Sequence, residues 1–115
     1  MDAPSLTNVV AWEAPRHCER SFGQAGLPVI ARVQERSDAV DLVLSLRRLT
    51  VVRCVYRISR NDYRGLATML AAGDFHRAAI VYTSEDQPHL SDEIESYPLS
   101  RIDELAASLA RESAK

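Results

Sequence analysis

The clearest pattern in the chain is a mostly apolar stretch at residues 49–58. From Val52 onward, every second side chain is apolar or aromatic, and the side chains between them include two arginines. Most of these side chains are β-branched or aromatic, as is typical of a strand. The residues that follow place apolar side chains at helical spacing from Tyr63 to Leu70, and Ser59 or Asn61 can cap that helix. The middle of the chain therefore predicts a strand that leads directly into a helix.

Alternation also assigns the side chains of this central strand to the two faces of a sheet. The two sets are Val52, Cys54, Tyr56 and Ile58 on one face, and Arg53, Val55 and Arg57 on the other. Charged side chains on an otherwise apolar strand need partners or solvent. The question of function therefore depends mostly on the second face.

The spacing of apolar residues also predicts the other elements of the chain. Helices are expected at residues 14–25 and 62–72, and strands at residues 27–33, 39–46, 49–58, 78–83 and 96–99. Gly26 and Gly73 follow the two helices, as C-capping glycines do. A last helix begins at the capping-box pair Ser100 and Asp103. At residues 8–12 the pattern does not distinguish a helix from a strand. The acidic stretch 84–95 is long enough to contain a short helix after Ser91.

This order of elements predicts a topology. The first three strands are joined by short polar turns, which favours an antiparallel meander. The fourth strand follows a crossover helix and is expected to lie parallel to its neighbour. The chain thus predicts an α/β fold with a mixed central sheet and a C-terminal β-α extension.

Length and composition indicate one domain over residues 1–115, with frayed ends at residues 1–7 and 111–115. The chain has 115 residues, 46% of them hydrophobic and 26% charged, which is ordinary for a globular domain. The formal net charge is −2, so binding to nucleic acid or to an anionic membrane would need a local basic patch.

The cysteines and the N-terminus bear on metal sites and on location. Cys18 and Cys54 form no C-x-x-C motif, so a zinc or redox motif is not expected, and Cys54 is predicted to be buried. The N-terminal residues lack the pattern of a signal peptide, and the apolar runs are too short to span a membrane. The default expectation is a cytoplasmic protein with no membrane partner.

Four segments, in order and spacing, resemble one nuclease family. They are Phe22-Gly23-Gln24-Ala25-Gly26-Leu27-Pro28-Val29, Asp38-Ala39-Val40-Asp41-Leu42-Val43, Val52-Arg53-Cys54-Val55 and residues 77–84. Together they resemble the Mrr-type endonuclease domain of the restriction-endonuclease-like (PD-(D/E)xK) superfamily, over roughly residues 12–109. The resemblance implies a three-layer αβββαβ core.

The resemblance also implies positions for an active site. In that family an aspartate on the second strand and a Gln or Glu on the third bind a divalent cation, and a lysine two residues later assists phosphodiester hydrolysis. Asp41 matches the aspartate, but Arg53 and Val55 stand at the other two positions. A guanidinium cannot coordinate a cation, because it has no lone pair to give. The resemblance therefore implies a degenerate site with no confident catalytic residue.

The residues at these positions allow two interpretations each. Asp41 is either a remaining metal ligand or the ion-pair partner of Arg53 on the neighbouring strand, and the ion pair is the favoured alternative. Several arginines form either a strip that binds phosphate or a solvated surface with local ion pairs, and the solvated surface is the slightly favoured alternative. The candidate nucleic-acid-binding residues are Arg32, Arg53, Arg57, Arg60 and Arg64.

Three functional hypotheses follow. The first is a catalytically degenerate nuclease-fold domain without a cofactor, which binds DNA or RNA weakly and salt-sensitively, or assembles with a protein or a second copy, in a DNA-handling or defence system. The second is an active Mg²⁺-dependent deoxyribonuclease with a rearranged site, in which Asp41, Glu13 or Glu19, and a carboxylate from elsewhere in the chain bind the metal. The third is a small α/β protein-interaction domain with no nucleic-acid role.

Overall fold

The structure is a computed structural model, and it describes residues 6–84 and 94–113, with side chains from Glu13 onward. The helices are α1 (Leu6–Gln24), α2 (Arg60–Ala71) and α3 (Ile102–Ser113). The strands are β1 (Val29–Arg36), β2 (Ala39–Ser45), β3 (Leu49–Val55), β4 (Arg77–Tyr82) and β5 (Glu95–Pro98). A 3-10 turn, Leu99–Arg101, leads into α3.

The five strands form one mixed sheet in the order β1-β2-β3-β4-β5. The pairs β1–β2 and β2–β3 are antiparallel, whereas β3–β4 and β4–β5 are parallel. The predicted meander, the parallel fourth strand and the short fifth strand are therefore confirmed. The structure has the predicted α/β class, and in the described residues α1, α2 and α3 surround an open sheet.

Helices cover both faces of the sheet, and each face has its own apolar core. On one face α1 and α3 pack against β2, β3 and β4, with Phe22, Leu42 and Leu105 fully buried. On the other face α2 packs against β3 and β4 through Leu66. Successive residues of β3 alternate between these two cores, as the period of a strand requires. The sheet is therefore the middle of three layers.

Helix α1 begins earlier than the sequence predicts. Pro15 suggested a start near residue 14, but the helix begins at Leu6 and contains Pro15 in its interior. Residues 8–12, for which the sequence pattern does not distinguish a helix from a strand, belong to this helix. Gly26 ends it with φ of 76°, as predicted, and the Leu27 amide donates to the Phe22 carbonyl at 2.9 Å. Because Leu27 completes this helix end, β1 starts only at residue 29.

Strand β3 is shorter than predicted, and this changes the position of Ile58. The strand ends at Val55, because the Tyr56 carbonyl accepts hydrogen bonds from the amides of Thr83 and Ser84 instead of continuing the ladder with β2. Ile58 consequently packs in the α2 core, not on the Cys54 face where alternation placed it. The short helix predicted after Ser91 lies outside the described residues.

Helix α2 is positioned by its first turn. Ser59 precedes it in extended conformation, and the Asp62 carboxylate accepts hydrogen bonds from the Ser59 amide at 2.9 Å and the Ser59 hydroxyl at 3.1 Å. Ser59, not Asn61, is therefore the capping residue. Leu66 on this helix is buried, whereas Leu70 is only half-buried at the edge of the same core. Over the described residues, no helix combines the length and the apolar character needed to cross a membrane.

Candidate functional site

The centre of the candidate site is an ion pair between β2 and β3. Asp41 and Arg53 are direct cross-strand partners in the antiparallel register. Arg53 Nε donates to Asp41 Oδ1 at 2.7 Å, and Arg53 Nη2 donates to Asp41 Oδ2 at 3.0 Å. Each residue is only 3% exposed. The expected ion pair is confirmed, and it is a bidentate pair in the interior of the domain.

A second carboxylate extends this pair to helix α2. Asp62 is fully buried, and its Oδ1 lies 3.4 Å from Arg53 Nη1. Arg36, at the end of β1, donates to the same carboxylate through Nη1 at 2.8 Å and Nη2 at 3.1 Å. Arg36 Nε also donates to Asp38 at 2.9 Å. The result is a charge network in which two arginines alternate with three aspartates, which we call the buried charge network: Asp38, Arg36, Asp62, Arg53 and Asp41.

The electrostatics of the network favour its charged form. Burial alone would raise the pKa of Asp62, but hydrogen bonds from Arg36 and Ser59 outweigh it, so this pKa lies below its usual value. Burial alone would lower the pKa of Arg53, but its hydrogen bonds to Asp41 raise it. Both groups therefore stay ionised at neutral pH, which is how buried charges are retained in proteins.

Gly65 makes room for Arg53 under helix α2. A Cβ atom at this position would lie 3.2 Å from Arg53 Nη1 and 3.7 Å from Nη2. The absence of a side chain lets the guanidinium pass between the helix and the sheet. Gly65, Asp62 and Arg36 are not singled out by the hydrophobic pattern or by a motif. A glycine in a helix interior is a signal that could have been used, because it is unfavourable there by about 1 kcal/mol relative to alanine.

The arrangement does not provide the ligands of a cation site. Both carboxylate oxygens of Asp41 accept hydrogen bonds from Arg53, and Val55 is fully buried in the apolar core of the α2 face. Glu19 lies on the other face of the sheet, where its carboxylate is 3.2 Å from Arg32. Across residues 6–84 and 94–113, no three His, Cys, Asp or Glu side chains are grouped so that they could hold a metal ion.

The predicted arginine strip is divided by the structure. Arg32 pairs in register with Leu42, whose side chain is in the core of the α1 face, so it lies on the opposite face from Arg53. Arg53 is buried in its ion pairs, so it cannot take part in a strip on the surface. Arg57, Arg60 and Arg64 are exposed, and within the part of the chain that the structure describes none of them has an ion-pair partner. We call these three residues the exposed arginine cluster.

The exposed arginine cluster lies where β3 ends and α2 begins. Arg57 is in the connection between the two elements, and Arg60 is the first residue of the helix. Arg60 and Arg64 are four residues apart, so their side chains project from the same side of α2. The three guanidinium groups therefore place positive charge on this surface, although the whole chain has a formal net charge of −2.

A groove of about 730 Å³ lies at the other end of the sheet. Leu49, Leu70 and Phe75 contribute apolar side chains to its lining, and Arg48 and His76 contribute polar ones. These residues belong to the amino ends of β3 and β4 and to the last turn of α2. The groove is therefore separate from both the buried charge network and the exposed arginine cluster.

Comparisons with known proteins do not assign this chain to a family. A scan against protein-family models, a search of curated proteins and a search of solved structures each find no match.

The first prediction concerns the Asp41–Arg53 pair. Asp41→Asn removes one of the negative charges that compensate Arg53 and leaves the guanidinium without its bidentate partner in the interior. We expect the free energy of unfolding, measured by urea denaturation, to fall by about 3–5 kcal/mol, as is typical when one member of a buried pair is removed. The control is Glu19→Gln, which breaks the half-exposed pair with Arg32 and should cost less than about 1 kcal/mol. Equal effects of the two substitutions would contradict a special role for the buried pair.

The second prediction concerns pH. The pKa of Asp62 is lower in the folded protein than in the unfolded chain, so the unfolded state binds the proton first as the solution is acidified. The stabilisation from Asp62 is complete above about pH 4 and is lost as the pH falls through the depressed pKa. Wild type should therefore be more stable than Asp62→Asn at neutral pH, and the difference in free energy of unfolding should narrow towards about pH 3. A difference that is constant or grows on acidification would show that the carboxylate is not stabilised in its charged form.

Proposed function

We propose that this chain is a restriction-endonuclease-like domain that has lost metal-dependent catalysis and binds nucleic acid through the exposed arginine cluster. The observation that carries the proposal is the bidentate Asp41–Arg53 pair, at the position where the Mrr-type family would hold its cation. The order of elements supports the fold assignment, because α1, β1–β3, α2 and β4 follow one another as in the expected αβββαβ core. Strand β5 and helix α3 then form the C-terminal extension.

The argument against catalysis is one of charge. A divalent cation at Asp41 would have to displace the guanidinium of Arg53 or share the space with it, and two positive groups at one carboxylate repel each other. Displaced from Asp41, Arg53 would still be buried and would lose its best acceptor. Val55, in place of the family's lysine, has no group to orient water. The same residues therefore favour a binding domain over the Mg²⁺-dependent nuclease.

The argument for nucleic acid rests on the exposed arginine cluster. Guanidinium groups form paired hydrogen bonds with phosphate oxygens, and such contacts position a protein on DNA or RNA without selecting a sequence. With three arginines on a chain of net charge −2, we expect modest affinity, on the order of micromolar or weaker at physiological salt. A role in a DNA-handling or defence system is part of the same proposal.

A second candidate is assembly with a protein or a second copy of the chain, and edge strand β1 favours it. Ile30 is 58% exposed and Val33 is 49% exposed, both on a strand that pairs with β2 only. Exposed apolar side chains on an edge strand are a common basis for association. Bulges near Ile30 and Glu35 interrupt the regular ladder, so side-chain packing is the expected mode of contact, not continuous strand pairing.

The third prediction tests binding. Fluorescence anisotropy with labelled DNA and RNA, single- and double-stranded, should show binding by wild type at low salt. If three phosphates are contacted on duplex DNA, affinity should fall about forty-fold between about 50 and about 200 mM salt. Arg60→Glu with Arg64→Glu should abolish detectable binding, because it replaces two phosphate donors with repelling charges.

The matched control for this experiment lies on helix α1. Arg16→Glu with Arg20→Glu makes the same change in net charge, at two exposed positions that are also four residues apart on a helix. This variant should keep most of the affinity of wild type. If both double variants lose binding equally, only net charge matters and the exposed arginine cluster is not the site. If wild type shows no binding at low salt, a protein partner becomes the better candidate.

The fourth prediction concerns hydrolysis. Plasmid and oligonucleotide DNA incubated with the purified protein and Mg²⁺ or Mn²⁺ should remain intact, because the ion pair occupies the ligand and no lysine is present at residue 55. The matched control is Asp41→Ala, prepared in the same way to reveal any contaminating nuclease. Metal-dependent cleavage by wild type that disappears in Asp41→Ala, at a temperature where circular dichroism shows the variant to be folded, would support the active-nuclease alternative.

A further inference from the structure

Two free thiols meet in the core between helix α1 and the central strand. Cys18 on α1 is fully buried, and Cys54 on β3 is 2% exposed. Their Sγ atoms are 3.5 Å apart, although 36 positions separate the two residues in the sequence. Both belong to the apolar core of the α1 face. The contact therefore joins the outer helix to the middle layer of the domain.

The separation of the two sulfur atoms sets how much movement a covalent bond would need. A disulfide has a sulfur–sulfur distance of about 2.05 Å, so the atoms would have to approach by about 1.5 Å. Small rotations of the two side chains contribute to such an approach, and the helix can adjust on the sheet through apolar contacts that have no fixed direction. The fold has therefore already brought the two thiols together, which is the entropically costly part of closing a long loop.

We propose that Cys18 and Cys54 are a site of reversible oxidation, at which a peroxide forms a disulfide that links α1 to β3. The proposal is independent of nucleic-acid binding. One thiolate attacks an oxygen of hydrogen peroxide, which breaks the O–O bond, gives a sulfenic acid and, with one proton, releases water. The second thiol sulfur then attacks the sulfenic sulfur, the S–S bond forms, and its proton leaves with the hydroxyl group as a second water. In total, two thiols lose two electrons and two protons to the peroxide.

Access limits the rate of this reaction. The Cys54 thiol donates a hydrogen bond to Cys18, and this bond together with burial raises the pKa of the Cys54 thiol well above its usual range, so little Cys54 thiolate is present in the closed structure. The first step therefore depends on local opening of α1, and the bond forms when the helix packs back on the sheet. Oxidation then connects α1 to β3 covalently and limits later opening.

The test combines mass spectrometry with thermal unfolding. The reduced protein is incubated with hydrogen peroxide, remaining thiols are alkylated under denaturing conditions, and the intact mass is measured. We expect monomeric protein that has lost two hydrogen atoms, takes up no alkylating reagent and returns to the reduced mass with a reducing agent. Peptide mapping without reduction should show Cys18 joined to Cys54. The oxidised form should melt at a higher temperature than the reduced form.

Two single variants provide the controls. Cys18→Ala and Cys54→Ala each keep one thiol, so neither can lose two hydrogen atoms within one chain, and peroxide should not raise their melting temperatures. Any of three results on wild type would overturn the proposal: addition of oxygen to the thiols without a cross-link, disulfides between two chains only, or a cross-linked monomer that melts no higher than the reduced protein. Thiols that remain reduced at a temperature where amide exchange shows α1 opening would also overturn it.

Discussion

The ion pair between Asp41 and Arg53 determines much of the rest of this structure. Two charges that are 3% exposed cost several kcal/mol each in lost hydration, and only well-aligned partners offset that cost. The pair therefore constrains the register of β2 against β3. A slip by one residue would turn Asp41 towards the α1 core, where Leu42 and Val52 lie now, and would leave Arg53 without its acceptor. Apolar residues alone would penalise such a slip less sharply.

The same constraint extends from the sheet to helix α2. Asp62 belongs to the first turn of the helix, caps it through Ser59 and also faces Arg53 and Arg36. The start of the helix is consequently fixed relative to β1 and β3 by directional contacts, whereas Leu66 contributes apolar burial without fixing a direction. Gly65 leaves space for this arrangement, since a Cβ atom there would lie 3.2 Å from Arg53 Nη1 and the guanidinium would have to shift by a few tenths of an ångström. The residues next to this anchored turn are Arg57, Arg60 and Arg64, so the exposed arginine cluster is held on a defined surface.

Sequence reasoning recovered the parts of the fold that depend on local pattern. The alternation of β2 and β3 gave the meander, and opposite charges on neighbouring strands gave the Asp41–Arg53 pair. It did not recover the face of Arg32 or the contact between Arg36 and Asp62, because both depend on how distant segments pack together. The predicted arginine strip places Arg32 on the same face as Arg53, but Arg32 pairs with Leu42 and therefore lies on the other face. Two bulges in β1 shift its register, so counting odd and even positions along the strand does not predict the face of each side chain. Arg36 and Asp62 were missed because they are 26 positions apart and meet only when α2 crosses the sheet.

Strand β3 shows how one element connects layers of different chemistry. Arg53 points towards α2 and is held there by charge, while the next residue, Cys54, points towards α1 and touches Cys18. Because neighbouring residues of a strand face opposite ways, the two contacts lie on either side of the same backbone. At low pH, protonation of Asp62 weakens the ion pairs on the α2 side. Oxidation of the thiols of Cys18 and Cys54 changes the contact on the α1 side. The exposed arginine cluster belongs to the α2 side, so its position depends directly on the buried charge network and only indirectly, through the sheet, on the state of the cysteines.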